Sequence, residues 1–211
     1  DVCNRKRFSL DPIAGFSLAG KMPAPVLFDS KTGIHLSFPQ PEDGADLFAA
    51  VRESISDISR WMDWCHPGYQ EEETELWIKQ LPDQWKAREN FAFIIRDRFN
   101  RAVGTCGLSH PNWQHRFANL GYWVRTGETG KGYAPAAAKL VASWGFRELE
   151  LNRIEIIMAV ENKNSRRVAE KTGATYEGIL RSRLQVCGGA YDAHSYSLIP
   201  TDLAQPSSHG A

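Results

Sequence analysis

A strand-forming run, Gly121-Tyr122-Trp123-Val124, empties into the glycine-rich turn Arg125-Thr126-Gly127-Glu128-Thr129-Gly130-Lys131-Gly132, which opens a helical pattern at Tyr133-Ala134-Pro135. No other segment limits the fold so strongly, because strand, tight turn and helix must follow one another without slack. Glycines at 127, 130 and 132 let the backbone fold tightly and bring several N–H groups to bear on an anion. The first turn of the helix adds unpaired N–H groups and the positive end of its dipole. The pattern predicts a phosphate-holding loop, although a chain with 17 glycines also uses such turns as ordinary connections.

The flanking sequence extends the pattern. Ala134, Ala138, Val141, Gly145 and Leu149 fall at helical spacing, and Pro135 sits where a first helical turn tolerates it. Arg153 to Val160 reads as a buried β-branched strand, Glu161-Asn162-Lys163-Asn164-Ser165 as a cap, and Ser165 to Gly173 as a second helix closed by glycine. A dinucleotide-binding unit would need Gly-x-Gly-x-x-Gly directly after a strand, and the spacing here fails. A P-loop needs Gly-Lys-Ser/Thr, and Gly130-Lys131-Gly132 lacks the magnesium-binding hydroxyl.

At these residues the chain resembles the GNAT N-acetyltransferases, whose acetyl-CoA loop has the form Gln/Arg-x-x-Gly-x-Gly/Ala. Thr129, Gly132 and Ala134 fall on that form, with threonine in place of the leading Gln or Arg. Trp61-Met62-Asp63-Trp64, Gly121-Tyr122-Trp123, Glu161-Asn162-x-x-Ser165, Arg167-Val168-Ala169-Glu170-Lys171-x-Gly173 and Tyr176-Glu177-Gly178 are similar to the RimJ/RimL branch, the ribosomal-protein N-terminal acetyltransferases. The resemblance covers residues 25–200 and implies an α/β (α+β) single-domain acyl-CoA N-acyltransferase fold, a mixed, mostly antiparallel sheet flanked by helices. It also implies acetyl-CoA as cosubstrate, no metal, and a protein N-terminus or a small amine as acceptor.

Acetyl transfer from a thioester to an amine needs a held donor, a deprotonated amine, a hydrogen-bond donor for the oxyanion and a proton for the leaving thiolate. The resemblance implies that Tyr122-Trp123-Val124 splays from the strand Arg153 to Val160 to receive pantetheine, with the Val124 N–H facing the thioester carbonyl. Gly127 to Ala134 would carry the pyrophosphate, with Thr129, Gly130, Lys131, Gly132, Tyr133 and Ala134 as the named contacts and Lys131 as an ionic contact or as a solvated lysine. Asn162 would bond the pantetheine amide. Ser165 is the candidate proton donor to the thiolate, with a plain helix N-cap as its alternative.

The base is less legible. Relatives place a carboxylate on the strand after the small helix, where this chain reads Arg181-Ser182-Arg183-Leu184-Gln185-Val186. Asp192 and His194 are the substitutes, His194 being better matched to neutral pH; their alternative is a surface role on an edge strand, with the proton leaving through water. Four of the seven tryptophans, Trp61, Trp64, Trp77 and Trp85, crowd one predicted helical segment. Trp61, Trp64 and His66 are expected to wall the acceptor groove, and Arg181 and Arg183 are candidates to meet an acidic acceptor.

A chain of 211 residues, 42% hydrophobic, suffices for one domain with a full core. Zero net charge with scattered basic residues argues against nucleic-acid binding, and no apolar run reaches bilayer length. Cys3, Cys65, Cys106 and Cys187 are widely spaced, as expected for free thiols in a cytoplasmic, reducing setting. Residues 1–24 read as a processed or non-native extension, and 201–211 as a disordered tail. Strands are expected at Ile34 to Phe38, Phe91 to Arg96, Ala102 to Ser109 and Phe117 to Arg125. Helices are expected at Glu42 to Arg52, Ile55 to Met62 and Glu71 to Arg88. Thr175 to Val186 and Tyr191 to Ile199 should form a hairpin around Cys187-Gly188-Gly189-Ala190. Acyl identity, acceptor and oligomeric state, a homodimer included, stay open, as does a CoA-binding sensor without chemistry.

Overall fold

The computed structural model describes residues 25–203. The expectations for residues 1–24 and for the tail beyond 203 lie outside the described residues. The elements are β1 (Leu27–Asp29), β2 (Ile34–Ser37), α1 (Gly44–Ile58), α2 (Glu71–Lys86), β3 (Asn90–Arg96), β4 (Ala102–Asn112), β5 (Phe117–Val124), α3 (Tyr133–Glu148), β6 (Arg153–Ala159), α4 (Lys163–Thr172), β7 (Thr175–Val186), β8 (Gly189–Leu198) and α5 (Pro200–Leu203). One sheet runs β1-β2-β3-β4-β5-β6-β8-β7. Among the described residues only the β5–β6 ladder is parallel, as the α3 crossover between those strands requires.

Three expectations are corrected. The two helices expected over 42–52 and 55–62 are one helix, α1, preceded by a 3-10 turn at Pro41–Asp43. No breaker separates them, and the Ser54 hydroxyl donates back to the Ala50 carbonyl, which keeps it inside the helix. Trp61 and Met62 lie past its end, where both N–H groups return to the Ile58 carbonyl. The tryptophans expected on one helical segment are therefore split: Trp61 and Trp64 stand in the connection, Trp77 and Trp85 on α2. Thr201 to Leu203, assigned to a disordered tail, form part of α5, whose Asp202 carboxylate accepts the Ile199 N–H. The short edge strand β1 had no signal of its own.

Strand alternation gives the sheet two apolar faces. On one, Leu47, Val51 and Ile58 of α1 pack with Ile94 and Trp123. On the other, Val141 and Trp144 of α3 pack with Leu120, Ile154, Ile156 and Tyr196. Trp123 thus points to the α1–α2 side, while its neighbours Tyr122 and Val124 point to the α3–α4 side.

Candidate active site

β5 and β6 are paired only at Phe117–Asn119 with Arg153–Glu155. Beyond that point each strand keeps its outer neighbour: β5 stays on β4 as far as Val124, and β6 stays on β8 as far as Ala159. A wedge opens between them. The Arg125 N–H bonds the Val103 carbonyl across the Gly104–Val124 pair, so in the antiparallel pattern Val124 turns its own N–H away from β4 and into the wedge. Tyr122 follows with the same parity. On the facing strand the Val160 N–H bonds the Asp192 carbonyl across the Ala159–Ala193 pair, which turns the N–H and C=O of Ile157 and the N–H of Ala159 inward. Two strands thus offer backbone donors and acceptors to whatever enters, and such groups require partners.

The wedge continues into a groove of about 590 Å³, lined by the end of α1 and the following turn (Asp57, Arg60, Trp61, Met62), by the loop before α3, and by one side of α4. Gly130 and Gly132 adopt φ of 81° and 82°, conformations that other residues rarely take. Alternating with Lys131, they curl the backbone so that the consecutive N–H groups of Gly130 to Ala134 have no protein acceptor among the described residues. This is an anion nest running into a helix N-terminus.

The preceding part of the loop faces elsewhere. The Thr126 N–H bonds the Ser54 hydroxyl, the Thr126 hydroxyl bonds Asp57, and the Gly127 N–H bonds Glu53. Helix α1 therefore clamps residues 126–127, and Gly127 is not a phosphate ligand as the glycine pattern had suggested. Lys131 is turned to Glu128 at 2.6 Å and does not line the groove. Lys131, together with Arg101, holds the buried Glu128 carboxyl below the usual glutamate range.

At the base of the wedge the Tyr122 hydroxyl lies 3.0 Å from the Ser165 carbonyl, to which it donates, and 3.0 Å from Ser165 Oγ. Burial pushes the Tyr122 pKa upward, which keeps the phenol protonated. Asn162, not Ser165, caps α4: its Oδ1 accepts the Ser165 N–H at 3.0 Å. That leaves the Asn162 amide NH2 and the Ser165 hydroxyl on the groove side.

The acetyltransferase (GNAT) domain model matches residues 34–175. The chain belongs to the GNAT acetyltransferase family. This GNAT protein is 29% identical over 180 residues to a Bacillus subtilis (strain 168) protein named "Putative ribosomal N-acetyltransferase YdaF", covering 82% of this chain and 96% of that one. It is 27% identical over 135 residues to the spermidine N(1)-acetyltransferase of Vibrio cholerae serotype O1 (strain ATCC 39315 / El Tor Inaba N16961), covering 64% of this chain and 75% of that one. Mycobacterium smegmatis RimJ, solved with a CoA disulfide, superposes with a TM-score of 0.74 at 24% identity, covering 87% of this chain and 91% of that one. The chain is a GNAT N-acetyltransferase, and the splayed β5 and β6 are its central strands.

Of the residues singled out in the sequence, Tyr122, Trp123, Val124, Thr129, Gly130, Gly132, Tyr133, Ala134, Asn162, Ser165 and Trp61 all line this GNAT groove. Trp64 stands behind it, 6.1 Å from the Trp123 ring. His66 is turned away onto Glu73 at 3.0 Å. Asp192 and His194 do not line the groove either. Asp192 accepts the Ser182 N–H, filling the bulge that Arg181 to Arg183 make in β7. His194 is buried between the Tyr176 and Tyr196 rings. Alternation along β8 decides their orientation, and it cannot be read without knowing how α4 covers the strand. The sequence reading missed Asp57, Arg60, Lys163, Arg167 and Lys171, which line the groove; the spacing of the three α4 cations by four was the available signal.

Proposed function

We propose that this enzyme transfers acetyl from acetyl-CoA to a primary amine, with the N-terminal α-amine of a ribosomal protein as the acceptor. The observation that carries the donor assignment is the joined pair of wedge and nest. Inward-facing amides of β5 and β6 suit the amide-bearing pantetheine, and the unsatisfied N–H groups of Gly130 to Ala134 suit the pyrophosphate. In this reading the Val124 N–H receives the oxyanion, Asn162 and the Ile157 backbone hold the pantetheine, and Ser165 donates a proton to the departing thiolate. The amine approaches from the α1–α2 side, along Trp61 and Trp123. Its proton leaves through water; of the carboxylates along the groove Glu128 is held by Arg101 and Lys131, which leaves Asp57 and Glu161. The acceptor assignment follows the naming of YdaF, a relative matched over 96% of its length; the spermidine enzyme favours a small polyamine as the competing reading.

Calorimetry with acetyl-CoA on the wild type and on Gly132→Trp tests the donor site. Binding by the wild type and its loss in the variant is the expected result, because an indole at φ 82° disrupts the nest. No binding by the wild type overturns the donor assignment. CoA release is then compared with ribosomal-protein N-terminal peptides and with spermidine. Turnover with the peptides is expected; turnover with spermidine alone overturns the protein acceptor, and none with either class of amine points to a CoA sensor.

A further inference from the structure

Residues 126 and 127 of the loop before α3 are fixed by α1, but the nest that follows has little around it. Among the described residues, an added Cβ at Gly130 would meet nothing within 4 Å, and one at Gly132 only the Thr32 methyl at 3.7 Å. Glycine loses more conformational freedom than any other residue when it is held in one conformation, so packing does not account for a nest that stays aimed at the groove. Two side-chain ties act there instead. The Thr129 hydroxyl donates to the Thr126 carbonyl at 2.9 Å, and Lys131, between the two glycines, donates to Glu128 Oε2 at 2.6 Å.

Glu128 is out of place as a charge. It is a carboxylate with a side chain only 9% exposed, and it lines a groove whose loop suits an anion. Left bare, it would repel that anion. Both of its oxygens are taken: Arg101 pairs with Oε1 and Lys131 with Oε2. Arg101 is anchored in turn by Asp97, a buried carboxylate that also accepts the Phe99 and Arg101 N–H groups in the turn between β3 and β4. Asp97, Arg101, Glu128 and Lys131 alternate in sign along this series. Their charges cancel, so what the series supplies to the nest is position and not field.

Resting on the acetyl-CoA reading, we propose that Glu128 is a positioning residue: it ties Lys131, and with it the nest of Gly130 to Ala134, to the β3–β4 turn through Arg101 before the pyrophosphate arrives. Preorganisation of this kind raises affinity by removing an ordering cost from the binding step. Lys131 is then a strut of the loop and not a phosphate ligand. The two roles differ in sign. A ligand lysine released from Glu128 would turn to the phosphate, and with one negative charge gone the donor would bind more tightly. A strut that has lost its anchor lets the glycines fluctuate, and the donor binds more weakly.

The test is calorimetric binding of acetyl-CoA to the wild type, to Glu128→Gln, Lys131→Met, Lys131→Arg and Arg101→Gln, and to the double variant Glu128→Gln/Lys131→Met, with thermal melts to confirm folding. Glu128→Gln is expected to weaken binding about ten-fold although it removes a negative charge from the groove, and Lys131→Met by a similar factor. The double variant is expected to bind no more weakly than either single one, because both break the same tie. Lys131→Arg keeps the ion pair and retains most of the affinity. Arg101 does not line the groove, so the several-fold weakening expected of Arg101→Gln acts through Glu128. Unchanged or tighter binding by Glu128→Gln overturns the positioning role. So do single losses that add in the double variant, which would make Lys131 a ligand in its own right. Should Glu128→Gln fail to fold, Arg101→Gln decides, and wild-type affinity in that variant overturns the role. If the wild type itself does not bind acetyl-CoA, the donor reading falls and the role with it, an outcome distinct from the others.

Discussion

The Tyr122 phenol touches two atoms of Ser165, the carbonyl it donates to and the hydroxyl beside it. Since burial keeps the phenol protonated, it serves as a fixed hydrogen-bond partner that orients Ser165 rather than as a base. Tyr122→Phe keeps the ring and removes the oxygen. It should cost about 1 kcal/mol of stability, leave acetyl-CoA affinity near that of the wild type and lower kcat about ten-fold. Thermal melts, calorimetry and single-turnover kinetics with an accepted amine check the three parts; an unchanged kcat would remove Tyr122 from the chemistry. At this scale Asn162 and Ser165 were both legible as polar residues at a helix start, yet which one caps was not. Either can accept a backbone N–H, and only the φ/ψ path out of β6 puts Asn162 at the cap.

The loop between β5 and α3 is set by two elements that approach it from opposite sides. Helix α1 takes the Thr126 and Gly127 N–H groups, which leaves the nest to residues 130–134. Strand β4 holds the other flank through Gly104, where φ is 154° and an added Cβ would fall 2.1 Å from the Trp123 carbonyl oxygen and 2.9 Å from Val124 Cα. Gly104→Ala must therefore push β4 away from the end of β5. The expected cost is about 1–3 kcal/mol, with weaker acetyl-CoA binding because the Val124 N–H shifts with the strand. Urea unfolding and calorimetry measure both; wild-type values in each would show that the strands yield without disturbing the wedge. The glycine pattern announced a loop of this kind, but Gly127 and Lys131 read as ligands because a sequence does not say which side of a turn is already occupied.

Across the whole molecule, the two central strands separate while each stays anchored to its half of the sheet. The β6–β8–β7 half carries a polar cluster in which Arg153 bridges Glu155 and Glu177, and Ser195 and Ser197 donate to Glu177. Arg153, with the serines, pulls the Glu177 carboxyl down to about 2 from the ordinary 4.5. The folded chain thus binds fewer protons at this site than the unfolded chain between those values. The stabilisation is complete above the unfolded value and is lost as pH falls through the folded one. The side chain is 35% exposed, so solvent screening limits the effect. Glu177→Gln should leave a shallower loss of stability between pH 5 and pH 2 than the wild type shows in chemical unfolding. Parallel curves would mean that the cluster does not contribute.

The sequence by itself determined the order of elements from β5 to β8, the Gly-rich turn opening a helix, and the residue types that the groove needs. These depend on local periodicity and on glycine's freedom of φ, which neighbours along the chain dictate. The tertiary structure decided which N–H groups stay unpaired, which of the paired candidates at 162 and 165 caps the helix, and that Asp192 and His194 are turned out of the groove while Arg167 and Lys171 are turned into it. Those outcomes follow from competition for hydrogen bonds and from which face of a strand or helix is covered. Both are set by residues far apart in the chain, such as Glu53 and Gly127.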